Sequence, residues 1–224
     1  MPEHKDNRDN KNTESSVFTK THTKSITLYH ASDKIINLED IRFPGPRENC
    51  DFGPGFYLTE DKRIAEEWVF RLDSPVINVF EYTPKNLSSL HLEGEDWIRV
   101  ILGFRKRLLN THFTSNVIYG LIADDRLFPS LDLFLEGTIG DKRLEKCLSF
   151  VNLGKQYCFK NSVEGLVYQR SYTLKGLEKQ NASERSRDRK RGMDSGLRDI
   201  IQNQPSSGEK FIQHHEEMGD WHEV

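Results

Sequence analysis

Residues Asp51–Asp61 read DFGPGFYLTED, and this stretch organises the chain on either side of it. Gly53 and Gly55 allow backbone conformations that other residues resist, and they remove side chains where a ligand would approach closely. Phe56 and Tyr57 follow directly, so two aromatic rings lie beside a bare backbone. This combination suits a flat heterocyclic ligand. An ordinary glycine turn leading into a strand, with both rings in the core, is the alternative interpretation.

The end of the same stretch predicts the start of a helix. Thr59 is the predicted N-cap, with Glu60 and Asp61 in the first turn, where acidic side chains are favoured. Apolar residues then recur at helical spacing, at Ile64, Ala65, Trp68 and Val69. We therefore predict an amphipathic helix over residues 62–72.

Further strands and helices follow without the regular alternation of a doubly wound sheet. The predicted strands cover residues 26–30, 76–82, 116–123 and 156–159, with a further candidate at 165–171. The other predicted helices cover residues 95–109, 127–135 and 141–151. This mixed order favours the α+β class, with a sheet core and flanking helices.

The composition divides the chain into three segments. Residues 1–24 are polar and are predicted to be a disordered tail, because they cannot bury enough apolar surface to offset the entropy of ordering. Residues 25–174 form the predicted folded domain. Residues 175–224 are predicted to be a charged linker or solvated helix, followed by a short C-terminal helix. The interleaved acids there favour a solvated charge run over a nucleic-acid contact.

Charge and cysteine content exclude several classes of protein. The 224 residues include 32 basic and 35 acidic side chains, which argues against a general nucleic-acid binder driven by phosphate neutralisation. Cys50, Cys147 and Cys158 lack the spacing of a zinc site or a disulfide framework. No stretch approaches the ~20 apolar residues of a membrane span. We therefore expect a cytoplasmic protein without a membrane partner.

Three separated pieces resemble the ADP-ribosyltransferase superfamily in their order: LYHAS at 28–32, DFGPGFYLTED at 51–61 and KQYCF at 155–159. In that superfamily a His or Arg ends the first strand, an aromatic follows a glycine-bearing strand, and a Glu or Gln introduces a late strand. More closely, residues 26–172 are similar to a bacterial family of unknown function that is regarded as ADP-ribosyltransferase-like. Its genes often neighbour a small presumed antitoxin. The resemblance implies a mixed, split β-sheet core with flanking helices.

The resemblance also implies catalytic residues. His30 would hydrogen-bond a ribose hydroxyl of NAD, and Tyr57 would stack on the nicotinamide ring. Gln156 stands where the superfamily often keeps a Glu, and an amide cannot act as a general base. Asp125 is the preferred group to take the proton of the acceptor, ahead of Asp124. Helix capping by these two acids, and a His30 side chain that bonds its own backbone, are the alternatives.

The co-substrate contacts implied by the resemblance are His30, Ala31, Ser32, Gly53, Gly55, Phe56, Tyr57, Thr59 and Arg105. Among them, Arg105 would neutralise the pyrophosphate, as would Arg126. Either arginine is equally interpretable as a surface residue or as the partner of an acid.

The resemblance implies an NAD-dependent ADP-ribosyltransferase that uses NAD as co-substrate and needs no metal. The acceptor is predicted to be a macromolecule of unknown identity. The biological role implied by the resemblance is that of a toxin or effector, with a small antitoxin-like protein as partner. The alternatives are a catalytically weak module that binds NAD or ADP-ribose, and an interaction protein whose aromatics and glycines only build the core.

Overall fold

A computed structural model of the chain describes residues 24–84, 87–105 and 113–203. The predicted polar tail lies outside these ranges except for Lys24. The last part of the predicted helix at 95–109 and the end of the chain after Asn203 also lie outside them.

The described residues form seven strands and five α-helices in mixed order. The strands are β1 Ile26–Ser32, β2 Phe56–Thr59, β3 Val76–Tyr82, β4 Ser89–Leu92, β5 Val117–Leu121, β6 Lys155–Phe159 and β7 Leu166–Thr173. The helices are α1 Lys62–Val69, α2 Gly94–Arg105, α3 Phe128–Leu135, α4 Asp141–Phe150 and α5 Gly176–Asn203. The predicted α+β class is confirmed. None of the described helices combines the length and apolar character needed to span a bilayer.

All seven strands join one sheet in the order β4-β5-β6-β2-β1-β3-β7. Strands β4 and β5 are parallel, and the other neighbours are antiparallel. The contact between β1 and β2 is the narrowest in the described sheet, because its register comprises the single pair Tyr29 and Thr59. By contrast, β1 pairs with β3 from Ile26 to Ser32. The sheet therefore consists of two blocks, β4-β5-β6-β2 and β1-β3-β7, that are joined by one residue pair between β2 and β1.

Helices cover one face of the sheet, and the buried core follows from this layering. Trp97 and Ile101 of α2 pack with Ile118 of β5 in the largest apolar cluster, which also takes in side chains of α3, α4 and α5. A second cluster on the other face includes Leu28 and Phe80. Burial of such side chains stabilises the fold by about 1.5–3 kcal/mol each.

The charged segment after residue 175 is helical, which agrees with the helix alternative of its prediction and not with the linker. It forms one continuous helix of 28 residues, α5, without the predicted break before a short C-terminal helix in the part of the chain up to Asn203. Ala182, Met193 and Leu197 are buried on one side of it. Arg185 adds an ion pair of 2.7 Å to Glu66 of α1. Sparse apolar anchors and ion pairs across to a neighbouring helix hold α5 in place, and local hydrophobic periodicity does not reveal such a combination.

The predicted N-cap at Thr59 is wrong by two residues. Thr59 is fully buried as the last residue of β2, and its hydroxyl donates to the Lys155 carbonyl over 2.9 Å. The N-cap of α1 is Asp61, whose carboxylate accepts from the Arg63 backbone N–H at 2.7 Å. Pairing with β6 keeps Thr59 in extended conformation, so the helix starts only after the strand has ended.

Two glycine substitutions test the packing of the fold. A Cβ at Gly55 would lie 2.3 Å from the Cys158 sulfur and 2.8 Å from the Phe159 carbonyl oxygen. We expect Gly55→Ala to lower the free energy of unfolding by about 1–3 kcal/mol, because a buried sulfur and a strand backbone cannot move aside. Denaturant unfolding measures the change.

Gly192→Ala is the matched control, because the same methyl group would meet nothing within 4 Å on helix α5. We expect it to raise stability by about 0.5–1 kcal/mol through helix propensity. Equal effects of the two substitutions would contradict the packing described for Gly55 and the helical state of α5.

Candidate active site

A cavity of about 1420 Å³ lies at the junction of the two sheet blocks, where residues of both β1 and β2 line it. It brings together nine of the residues singled out in the sequence: His30, Ala31, Ser32, Gly55, Phe56, Tyr57, Arg105, Asp125 and Gln156. Gly53 and Thr59 do not line it. Among the described residues, no group of three or more His, Cys, Asp or Glu side chains is arranged to hold a metal ion. Metal-free chemistry stays a prediction.

His30 is held at the gap between the two blocks. Its Nδ1 lies 2.7 Å from the carbonyl oxygen of Tyr57, and because a carbonyl only accepts, Nδ1 carries the proton. Burial lowers the pKa of His30, the hydrogen bond to Tyr57 opposes this shift, and Arg47 adds to it. The imidazole is therefore neutral at pH 7, and its Nε2 is a hydrogen-bond acceptor. The backbone bond is made to the neighbouring strand, not to the residues next to His30.

Tyr57 presents a fixed ring to the cavity. Its hydroxyl donates to the Gly53 carbonyl at 2.5 Å and accepts from the Phe52 backbone N–H at 3.0 Å. Burial raises the pKa of Tyr57 well above its ordinary value, so the hydroxyl keeps its proton. Because both bonds are made to the glycine loop, residues 51–55, the ring is positioned before any ligand binds.

Both glycines of the loop are closely packed, and neither position has room for a side chain. Gly53 has a φ of +71°, and a Cβ there would lie 2.4 Å from the ring of Phe104. Its carbonyl is occupied by Tyr57. Gly55 lies in the cavity wall but is also closely packed against Cys158. The loop thus fixes the position of Tyr57, whereas Gly53 does not line the cavity and its carbonyl is bound by the Tyr57 hydroxyl.

Lys160 closes the loop from the other side. Its ammonium group donates to the carbonyl oxygens of Phe52 at 2.7 Å and of Pro54 at 2.6 Å. It also lies 5.7 Å from the ring centroid of Phe104. Burial lowers the pKa of Lys160, and the nearby thiols of Cys158 and Cys50 oppose the shift. These contacts anchor both halves of the loop to the end of β6.

Asp51 is the central residue of the candidate site, and the sequence did not predict that position for it. Its side chain is 4% exposed, and it accepts from the Arg105 guanidinium at 2.6 and 2.8 Å, from the Gln156 amide at 2.5 Å and from the Ala123 backbone N–H at 3.1 Å. Burial opposes the charge of Arg105, but Asp51 outweighs this and raises the pKa of Arg105. The only sequence signal was an acid at the head of the glycine loop, which is indistinguishable from an ordinary turn former.

Gln156 is oriented by Asp51. The side chain of Gln156 makes two hydrogen bonds within the described residues, and its amide nitrogen donates both. One goes to the Asp51 carboxylate and the other, at 3.4 Å, to the Leu121 carbonyl. Because both partners only accept, the nitrogen and oxygen of the amide are distinguishable. Gln156 also lines the cavity. Its amide oxygen is therefore the group left to accept a hydrogen bond from a ligand.

The two neighbouring acids have different environments. Asp124 caps the 3-10 helix Asp125–Leu127 and pairs with Arg126 at 2.8 Å and with Arg189 at 2.9 Å. Burial raises the pKa of Asp124, but the bonds to Arg126 and Arg189 outweigh it and leave the pKa below its ordinary value. The side chain of Asp125 is 85% exposed and lies 3.5 Å from Nη1 of Arg105. Capping therefore accounts for Asp124, while Asp125 stands at the cavity rim.

The fold and this cavity define an α+β protein with a candidate ligand site at the junction of two sheet blocks. The chain belongs to the family described as "Protein of unknown function (DUF3990)", whose sequence profile matches residues 26–166, more than half of the chain. No curated protein and no solved structure matches the chain. The matched residues include strands β1 to β6, whereas α5 lies after them.

Asp51→Asn tests whether Asp51 organises the site. An amide in place of the carboxylate would present a donor to the donors of Arg105 and Gln156, and would leave the guanidinium with only the exposed Asp125 as counter-charge. We expect a loss of about 2–4 kcal/mol in the free energy of unfolding, because a polar network buried with one member missing is destabilising. Urea titration provides the measurement.

Asp125→Asn removes a charge from the same Arg105 at an exposed position. We expect it to change stability by about 0.5 kcal/mol or less, because exposed ion pairs contribute little. Similar losses for both variants would refute the central role of Asp51.

The protonation of His30 is also testable. Because burial depresses its pKa in the folded protein, the unfolded chain binds a proton at His30 at a higher pH than the folded chain does. The stability contributed by neutral His30 is complete above pH 6.5 and is lost as pH falls from 6.5 through the lowered pKa. NMR titration of the imidazole resonances should give a midpoint below 6.5 for the resonance absent from His30→Asn. A midpoint at or above 6.5 would contradict the buried, neutral imidazole.

Proposed function

We propose that the protein is an NAD-dependent ADP-ribosyltransferase that cleaves the nicotinamide-ribose bond and transfers ADP-ribose to a macromolecular acceptor. The observation that carries the proposal is the cavity at the junction of the sheet blocks, which is lined by His30, Tyr57 and Gln156 from the adjacent strands β1, β2 and β6. These are the three positions that resemble the superfamily's pattern. The proposal includes an ADP-ribosyltransferase-like split sheet as the finer description of the fold.

His30 binds the ribose in this proposal. Nδ1 is committed to the Tyr57 carbonyl, so Nε2 is the atom available for a ligand. A neutral imidazole accepts at that atom, and a ribose hydroxyl donates to it. The depressed pKa keeps the acceptor form in place at neutral pH.

Tyr57 supports the nicotinamide ring. An aromatic face held by two hydrogen bonds of its own hydroxyl loses little conformational freedom when a flat ring packs on it. The cavity of about 1420 Å³ exceeds the ~300–1,000 Å³ typical of pockets for drug-sized ligands. It therefore has room for a dinucleotide.

Gln156 and Asp125 divide the remaining roles. Cleavage of the nicotinamide-ribose bond of NAD leaves positive charge on the ribose. The amide oxygen of Gln156 accepts a hydrogen bond from a ribose hydroxyl. The fixed dipole of this amide stabilises the positive charge on the ribose. An amide cannot take a proton, so Asp125, exposed at the rim, takes the proton of the acceptor.

The biological setting of the proposal is that of a cytoplasmic toxin or effector restrained by a small antitoxin-like partner. This part of the proposal is supported by the sequence resemblance.

A second function is favoured by one observation. The hydrogen bonds of Gln156 fix its side chain but give it no group that exchanges a proton. This is compatible with a module that binds NAD or ADP-ribose without turnover, acting as a sensor or interaction protein. The two functions differ in nicotinamide release and agree in ligand binding.

The test is nicotinamide release from NAD by the purified chain, with and without cell lysate. We expect Tyr57→Ala and Gln156→Ala each to reduce release by about tenfold or more, since each removes a contact to the reacting half of NAD. Tyr168→Ala is the matched control, because Tyr168 lies partly exposed on β7 and outside the cavity wall.

Each outcome distinguishes between the functions. Release that depends on Tyr57 and Gln156 and rises with lysate supports the transferase. NAD binding by calorimetry without release in any condition supports the binding module. Neither release nor binding refutes both functions, and an equal loss in Tyr168→Ala refutes the roles assigned to Tyr57 and Gln156.

A further inference from the structure

Helix α5 builds one wall of the same cavity. Ser186, Arg189 and Lys190 of this helix line it. Residues three and four positions apart lie on one helical face, so these three side chains share a direction. This wall lies outside the residues that match the family profile.

The arginine on this wall is neutralised by buried acids. Arg189 pairs with Glu67 at 2.7 Å and with Asp124 at 2.9 Å. Arg126, which also lines the cavity, pairs with Asp124 at 2.8 Å and with Asp194 at 2.9 Å. These ion pairs attach α5 to the domain and leave little net charge on the two arginines.

Two further cations, one on α5 and one just after α1, lie in the cavity wall without an ion pair among the described residues. Lys190 of α5 and Arg71, which follows α1, both line the cavity, and neither forms an ion pair with any described carboxylate. Burial lowers the pKa of Lys190, and repulsion from Arg71 and Arg126 lowers it further. Attraction to Asp124 opposes this shift. Neither cation is held in an ion pair of its own, so both remain available to an anion in the cavity.

We propose that Lys190 and Arg71 together form a phosphate-binding subsite in the cavity wall. The guanidinium fork of Arg71 matches two phosphate oxygens, and the Lys190 ammonium group supplies a point charge. The hydroxyl of Ser186, one turn before Lys190, lies on the same wall as a further donor.

The phosphate has two chemical sources. It is either the pyrophosphate of NAD, in which case the subsite deepens the proposed function and rests on it, or a phosphate group on the acceptor. The cavity volume of about 1420 Å³ leaves room for both. Binding of a free phosphate compound depends on neither source, and so it is the first measurement.

The experiment is calorimetric titration of the full chain with inorganic pyrophosphate at low ionic strength. We expect Lys190→Gln and Arg71→Gln each to weaken binding by about tenfold, because each removes a charge-assisted hydrogen bond. Lys190→Arg should retain most of the affinity. Arg187→Gln is the matched control, because Arg187 is an exposed cation of α5 outside the cavity wall.

A second arm repeats the titration at saturating NAD. Loss of pyrophosphate binding assigns the subsite to the pyrophosphate of NAD, and unchanged binding assigns it to a phosphate on the acceptor. If NAD itself does not bind but pyrophosphate does, the subsite stands and the proposed function fails. No pyrophosphate binding by the folded wild-type chain, or equal loss in Arg187→Gln, overturns the subsite. Thermal unfolding of each variant establishes that it is folded.

Discussion

A buried carboxylate holds the site together. Asp51 connects the glycine loop to α2 through Arg105, to β6 through Gln156 and to the end of β5 through the Ala123 backbone. Removing a carboxylate from water is costly, and here several donors, one of them charged, offset that cost. The position of the loop, and with it that of the Tyr57 ring, follows from this network. Lys160 completes it from the opposite side by binding two loop carbonyls.

The same carboxylate explains the amide at position 156. With Asp51 at 2.5 Å, a second carboxylate would place two like charges in contact within the protein, whereas an amide donates to Asp51 without repulsion. The glutamine is therefore the residue compatible with its neighbour. The local sequence does not disclose this, since the two positions are 105 residues apart in the chain.

Local periodicity predicted most of the elements, because apolar spacing and β-branched content are properties of short windows. The predicted strand at 76–82 coincides with β3, and the predicted helix at 62–72 contains α1. Interactions across the fold were not predictable in this way. Helix α5 depends on ion pairs to α1, and the orientation of Gln156 depends on Asp51. Nine of the candidate site residues line one cavity, but Gly53 and Thr59 have packing and strand roles that composition alone does not distinguish.

The single pair that joins β1 to β2 leaves most of the junction between the two blocks to side chains. Leu28 of β1 and Leu58 of β2 are fully buried in one apolar cluster, and the His30 imidazole donates to the Tyr57 carbonyl across the junction. The shape of the cavity at this junction therefore depends on side-chain packing and on one imidazole, and less on a ladder of backbone hydrogen bonds. A single substitution can change such contacts more readily than it can change a backbone ladder.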